Sequence, residues 1–187
     1  MNTKEEVLEL LAQYEQQYKD EHENVAAIKQ FVAAFDTGYL YTRHNFTGHI
    51  TASAFIYDPN ANAFLLIEHK TLNRWLQPGG HVETTDADIL AAALREAVEE
   101  TSLPADAFKP LSTIIDIDSH PIPANDRKQE PAHVHHDIRY LFTCNSQMDI
   151  VVQEEHVSSC RWIHVDELPE EESIQRVARK VQQLFQK

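Results

Sequence analysis

Glu96, Glu99 and Glu100 stand three and four positions apart, a spacing that makes them neighbours on a helix. Three like charges near a helix C-terminus, where the macrodipole prefers cations, are locally unfavourable. A hard divalent cation reverses that sign, because Mg2+ takes oxygen ligands from a few carboxylates together with waters and substrate phosphate. Arg95 precedes the acids directly, and Gly79-Gly80, two of only four glycines in the chain, follow Pro78 upstream. A glycine pair lets the backbone turn sharply and approach a ligand closely. A plain solvated acidic face is the competing reading; Arg95 and the glycine pair weigh against it.

A second group with chemical potential is His120, His133, His135 and His136. On an extended segment His133-x-His135 directs both rings to one side. With His120 nearby and Glu130 available, these residues could hold a transition metal, or one histidine could contact substrate or move a proton. Eleven histidines in the chain also make accidental clustering easy.

The acids need a helix to carry them. Ile89 to Glu100 supplies one, rich in Ala, Leu and Glu and free of Gly and Pro. Asp86 or Asp88 can cap its start, and Leu90, Leu94 and Val98 with Ala91 and Ala97 form the stripe expected to face a core. Strands are expected at Ile50–Tyr57, Ala63–His69, Leu111–Asp118, Asp137–Cys144 and Ser159–Val165. Ile138, Tyr140 and Phe142 share one face of the fourth strand, Arg139 and Leu141 the other. Between the third and fourth, His120 to Ala132 carries three prolines and reads as a long connection. A helix from Glu171 to Gln186 closes the chain. At the start, Thr3-x-x-Glu6 fits a capping box for a helix over 3–18, and a second helix over 24–35 is expected to end at Gly38. This arm carries apolar stripes and no cluster of catalytic types, so it is expected to pack on the rest of the chain or on a second subunit, a homodimer in the latter case.

The chain has 187 residues, 42% of them hydrophobic, and a formal net charge of −14. One domain with an extension fits that length. The negative charge argues against nucleic acid as partner. It leaves room for a small phosphorylated substrate, since a bound divalent metal inverts the local field. Cys144 and Cys160 form no C-x-x-C, so neither a disulfide framework nor a zinc site is expected. The polar first residues do not read as a signal peptide, and no apolar run approaches a membrane span. The expectation is a cytoplasmic protein with no membrane partner.

From Gly80 to Leu103 the sequence resembles the Nudix hydrolase family, whose box reads G-x(5)-E-x(7)-R-E-U-x-E-E-x-G-U, with U bulky and apolar. Gly80, Arg95, Glu96, Glu99, Glu100 and Leu103 match it. One extra residue before Arg95 leaves Asp86 or Asp88 as the first acid, Asp86 lying at the family's distance from Gly80. Ala97 replaces one U. Ser102 replaces the final glycine, so the helix is expected to end without a left-handed glycine cap.

The resemblance implies an α/β fold, a Nudix-like α/β/α sandwich with a mixed sheet, in which residues 1–45 form a helical extension and 46–187 the domain. It implies hydrolysis of a pyrophosphate bond in a nucleoside diphosphate linked to another moiety, with Mg2+ or Mn2+ held by Glu96, Glu99 and Glu100 and a backbone carbonyl at Gly79 or Gly80. Arg95 would orient the glutamates. The general base would be a box glutamate or, from a later loop, Glu154 or Glu155, of which Glu155 is the preferred candidate. Arg74, Gly80 and Arg139 would contact substrate. Two alternatives stand beside this: a Nudix-like ligand-sensing module without catalysis, which would usually have lost box carboxylates, and a His-metal enzyme centred on His133 and His135.

Overall fold

The computed structural model describes residues 1–70, 72–126, 129–150 and 157–185. The chain runs α1 (Lys4–Gln17), α2 (His22–Ala34), α3 (Thr37–Tyr41), β1 (His49–Asp58), β2 (Ala63–His69), β3 (Arg74–Leu76), β4 (Gly79–His81), α4 (Ile89–Thr101), β5 (Lys109–Ile122), β6 (His133–Thr143), β7 (Val157–His164) and α5 (Glu172–Phe185). The strands form one seven-stranded mixed sheet in the order β3-β2-β1-β6-β5, with β4 on β1 and β7 on β2. Only the β1–β6 pair is parallel, with His49 opposite His135 and Ser53 opposite Arg139. Strand β1 is buried along its whole length. Of the segment expected as a long connection, His120, Pro121 and Ile122 join the ladder, in which β5 and β6 pair antiparallel out to Ile122 and His133, and an isolated bridge links Asn125 to Glu130.

Two cores flank this sheet. One joins Ala52, Ala54, Ile138, Tyr140 and Phe142 to α4 and to the apolar residues of α1 and α2. The other joins Phe55, Tyr57 and Leu141 to Ile174, Val177 and Val181 of α5. The period-two alternation expected for β6 is therefore the division between them. The result is the α/β sandwich with a mixed sheet and a helical N-terminal part. The arm is continuous with the first core, and α1 and α2 lie against the edge strand β5. Asn2 reaches the start of α4, accepting a 2.9 Å hydrogen bond from the Ile89 amide.

Local expectations are met unevenly. Thr3 and Glu6 form the capping box. Helix α2 ends at Ala34, and Gly38 lies inside the short helix α3 instead of terminating α2. In α4 the fully buried line is Ile89, Ala92, Ala93 and Ala97, while Leu90, Leu94 and Val98 pack at its margin. Small side chains face the small Ala52 and Ala54 of β1, and the helix can sit close on the sheet. Ser102 itself takes the left-handed conformation, φ 55°, as the cap of α4, and its amide bonds the Val98 carbonyl. The left-handed cap persists without glycine, at the cost of backbone strain. No helix among the described residues is long and apolar enough to cross a membrane.

A buried ionic network ties β5, β6 and α5 together. Asp116, fully buried, accepts from Arg176 at 2.8 and 2.7 Å, Lys180 at 2.7 Å and Arg139 at 3.1 Å. Arg139 also bonds Asp137 at 2.8 Å and pairs with Asp118 at 3.2 Å, and Lys180 pairs with Glu21 at 2.6 Å. Burial pushes the Asp118 carboxyl up, but the His120 hydrogen bond and the charges of Arg139 and Arg176 outweigh it and hold the group well below the usual carboxylate range.

Candidate active site

Strand β4 is three residues long and lies between two groups of ligating side chains. It pairs with β1 so that Gly80 faces Ala52 and His81 faces Thr51. Strand alternation then sends position 80 toward α4 and positions 79 and 81 to the opposite face.

On the α4 side, glycine at 80 is required by contact. A Cβ there would lie 2.4 Å from a Glu96 carboxylate oxygen. At 79 it would lie 2.3 Å from the Ser53 hydroxyl oxygen. Neither glycine has a positive φ; the expected sharp turn is absent, and close approach is what the pair provides. The Gly79 amide donates to Glu100 Oε2 at 3.1 Å, so it is this N–H that the geometry brings to the acids. Arg95 spans the whole group. It bonds Asp86 at 3.0 and 3.1 Å, Glu96 at 2.9 Å, Glu99 at 3.0 Å and the His81 carbonyl at 2.8 Å.

The two rival aspartates separate cleanly. Asp86 pairs with Arg95 and accepts from the Glu83 amide at 2.7 Å. Asp88 is the N-cap of α4, accepting from the Ala91 amide at 2.7 Å. Burial raises the Asp86 carboxyl, but the Arg95 and Glu83 hydrogen bonds prevail and it ends below its ordinary value. Glu96 goes the other way: burial lifts it more than Arg95 lowers it. Glu100 is pushed up to about 8 by burial and by the neighbouring Glu96 and Glu99 charges, against the Gly79 amide. Carboxylates gathered with too few cations fit an oxygen-loving divalent ion, and Gly80 leaves beside Glu96 the space that a Cβ would fill.

On the other face of β4, the His81 ring meets those of His49 and His135, with centroids 4.9 and 5.2 Å away, and His49 and His135 are 4.6 Å apart. His133 lies beside them, its Nε2 3.2 Å from that of His135 and its Nδ1 2.8 Å from the Pro131 carbonyl. As expected, His133 and His135 share a side. His136 does not join them: it stacks on Phe31 at 4.4 Å and bonds the Ser119 hydroxyl. Burial lowers His49 to about 4 and, with the surrounding imidazoles, His135 to about 2. Sequence reading singled out neither His49 nor His81. The signal that finds them is the register of β6 and of β4 on β1, which spacing within one segment does not encode.

The remaining candidates lie elsewhere. Arg139 is enclosed, 4% exposed, with its guanidinium engaged by Asp116, Asp118 and Asp137; the fold does not bring it to the acids. Arg74, at the start of β3, pairs with Glu171 ahead of α5. Trp75 packs at the edge of the second core under the Arg161 guanidinium, 4.3 Å from its ring centre. Glu154 and Glu155 fall outside the described residues.

Comparison with known proteins agrees with this geometry. A family model described as NUDIX domain matches residues 47–185. A protein of Lactococcus lactis subsp. cremoris named "Probable DHNTP pyrophosphohydrolase" is 36% identical over 98 residues, a match spanning 52% of this chain and 55% of that relative's length. A shorter match, 48% over 42 residues and 22% of each chain, is to "Uncharacterized Nudix hydrolase NudL" of Klebsiella pneumoniae. Among solved structures, a C. elegans Ap4A hydrolase complex superposes with a TM-score of 0.53 at 19% identity, covering 73% of this chain and 98% of that one. The E. coli dihydroneopterin triphosphate pyrophosphohydrolase gives 0.54 at 14%, covering 70% and 92%. At such identities these structures speak for the fold, and the family model for descent; the chain belongs to the Nudix hydrolase family.

Proposed function

We propose that the protein is a Mg2+- or Mn2+-dependent pyrophosphohydrolase acting on a small phosphorylated substrate, a nucleoside diphosphate linked to another moiety. The observation that carries this reading is the charge deficit beside β4: Asp86, Glu96 and Glu99 share one guanidinium, that of Arg95, Glu100 beside them accepts from the Gly79 amide, and two of the four carboxyls are raised. Glu96, Glu99 and Glu100, with a backbone carbonyl at Gly79, would hold the metal. Once bound, a divalent ion there offsets phosphate charge and activates water for attack at phosphorus. Arg95, fixed by Asp86 on one side and the His81 carbonyl on the other, limits where Glu96 and Glu99 can point. Glu155 is proposed as base, and Gly80 and Arg74 as substrate contacts, Arg74 leaving its ion pair with Glu171; Arg139, engaged by three aspartates, is assigned to the structural network instead. Retention of all three helix carboxylates favours catalysis over a sensing role.

The name of the Lactococcus relative places a pterin triphosphate first on the substrate panel, followed by dinucleoside polyphosphates, nucleotide sugars and nucleoside triphosphates. Turnover of one panel compound with Mg2+ or Mn2+, abolished by chelator and restored by adding the metal back, is the expected result. Full turnover in excess chelator would sink the proposal.

A further inference from the structure

We propose that His49, His81 and His135 form a second metal site, distinct from the acid cluster, which takes a borderline transition-metal ion of the Zn2+, Co2+ or Ni2+ class.

Each of these residues can offer one ring nitrogen such that all three atoms lie within 4.8 Å of one another. Ligands at about 2.1 Å around a tetrahedral ion are separated by roughly 3.4 Å, so modest ring rotation closes the set. The decisive observation is His49. It is 1% exposed, and neither ring nitrogen makes a hydrogen bond, although the Asn45 backbone is near enough to favour a charged ring. A buried polar group without a partner costs about 1–3 kcal/mol, and here the orphan faces two more imidazoles. An ion among them would remove that cost. Two further histidines beside the set, His133 and His120, are held by hydrogen bonds of their own. The Pro131 carbonyl bonds His133 Nδ1 and leaves its Nε2 turned toward His135, and Asp118 holds His120 Nδ1 at 2.9 Å.

Access and packing agree. His81 and His135 are partly exposed while His49 is buried, so the cluster has a floor and a mouth. Gly48 lets the strands meet there: a Cβ would lie 2.7 Å from the Val134 carbonyl oxygen. The donors are nitrogen, which imidazole-preferring metals select and Mg2+ does not. A metal on these rings would pin β4 to β1 and β6, and the His81 carbonyl passes that restraint to Arg95 through its 2.8 Å bond.

The test uses Co2+ alone as probe on the full chain stripped by chelator, in a large excess of Mg2+ to occupy carboxylates. One equivalent of Co2+ should bind with the visible d–d bands of nitrogen ligation, and Zn2+ should displace it. His81→Gln and His135→Gln, checked for folding by circular dichroism, should each weaken binding about tenfold or more, while Glu99→Gln should leave the bands in place. The site is refuted if no such bands appear, if they persist undiminished in both histidine variants, or if Glu99→Gln removes them. Because the readout is spectroscopic, it stands or falls apart from any hydrolytic activity.

Discussion

Around Asp116, three cations, Arg139, Arg176 and Lys180, meet Asp116, Asp118, Asp137 and Glu21. Around Glu96 the Arg95 guanidinium meets three carboxylates, Asp86, Glu96 and Glu99, with the raised carboxyl of Glu100 beside them. Both groups hold buried carboxylates, though Glu99 is exposed, and their chemistry is similar on paper. The first is closed, each charge having found its complement inside the fold. The second is left short of positive charge, which a chain selected only for stability has no reason to tolerate. Balance separates a structural cluster from a working one more sharply than residue type does.

That contrast breaks most visibly at Arg139. Arg139→Met would take one buried cationic partner from each of Asp116, Asp118 and Asp137 and should cost about 3–5 kcal/mol, read as a lower denaturant midpoint at unchanged slope. If Arg139 instead contacts substrate, the same variant would keep its stability and raise KM. Next in size, Glu99→Gln or Glu100→Gln should lower turnover about a hundredfold or more, near 2.7 kcal/mol. Stability without metal should hold or rise slightly, since like charges are relieved. Equal activity in both variants would place the acid cluster with the structural one.

Titration sharpens the same point. Burial and the Glu96 and Glu99 charges push Glu100 up to about 8 in the folded chain, from 4.5 for a free carboxyl, so between those values the folded chain holds a proton that the unfolded chain has released. Metal-free stability should therefore fall as pH rises across this window, by up to about 1.4 kcal/mol per pH unit, and level off above it. Mg2+ affinity should rise over the same window. Glu100→Gln should flatten both profiles in thermal melts. Asp118 has the opposite sign: its depressed pKa contributes stability that is present at neutral pH and lost only in strong acid. The smallest effect separates the two box aspartates. Asp88→Ala should cost about 1 kcal/mol through its lost cap with activity retained per folded molecule, whereas Asp86→Asn should reduce activity by loosening Arg95. A larger activity loss from the Asp88 change would reverse these roles.

The box helix and most strands were legible because their information is local. Ala-rich helical content marked α4, and alternation in Ile138, Tyr140 and Phe142 marked β6. What sequence spacing could not supply was pairing across the sheet. Asp86 and Asp88 were equivalent until the fold set one against Arg95 and the other under the helix amides. Arg139 looked available because its partners, Asp116 and Asp118, lie on another strand. His49 and His81 became conspicuous only when β1 paired parallel with β6 and antiparallel with β4 and so brought residues from three strands together. The Leu90, Leu94 and Val98 stripe was displaced because the alanine line permits closer packing on β1, a property of the facing surface as much as of the helix.

The four glycines carry one further consequence. Around Gly38 an added Cβ would meet nothing within 4 Å, whereas at 48, 79 and 80 it would strike backbone or functional side chains. In a saturation library selected for abundance and turnover, position 38 should accept most side chains, alanine included. Position 80 should be purged for lost turnover before lost abundance, and position 48 for abundance together with any cobalt signal. A genetic experiment with no ligand in hand would thus draw the outlines of both sites from the fates of the smallest residue.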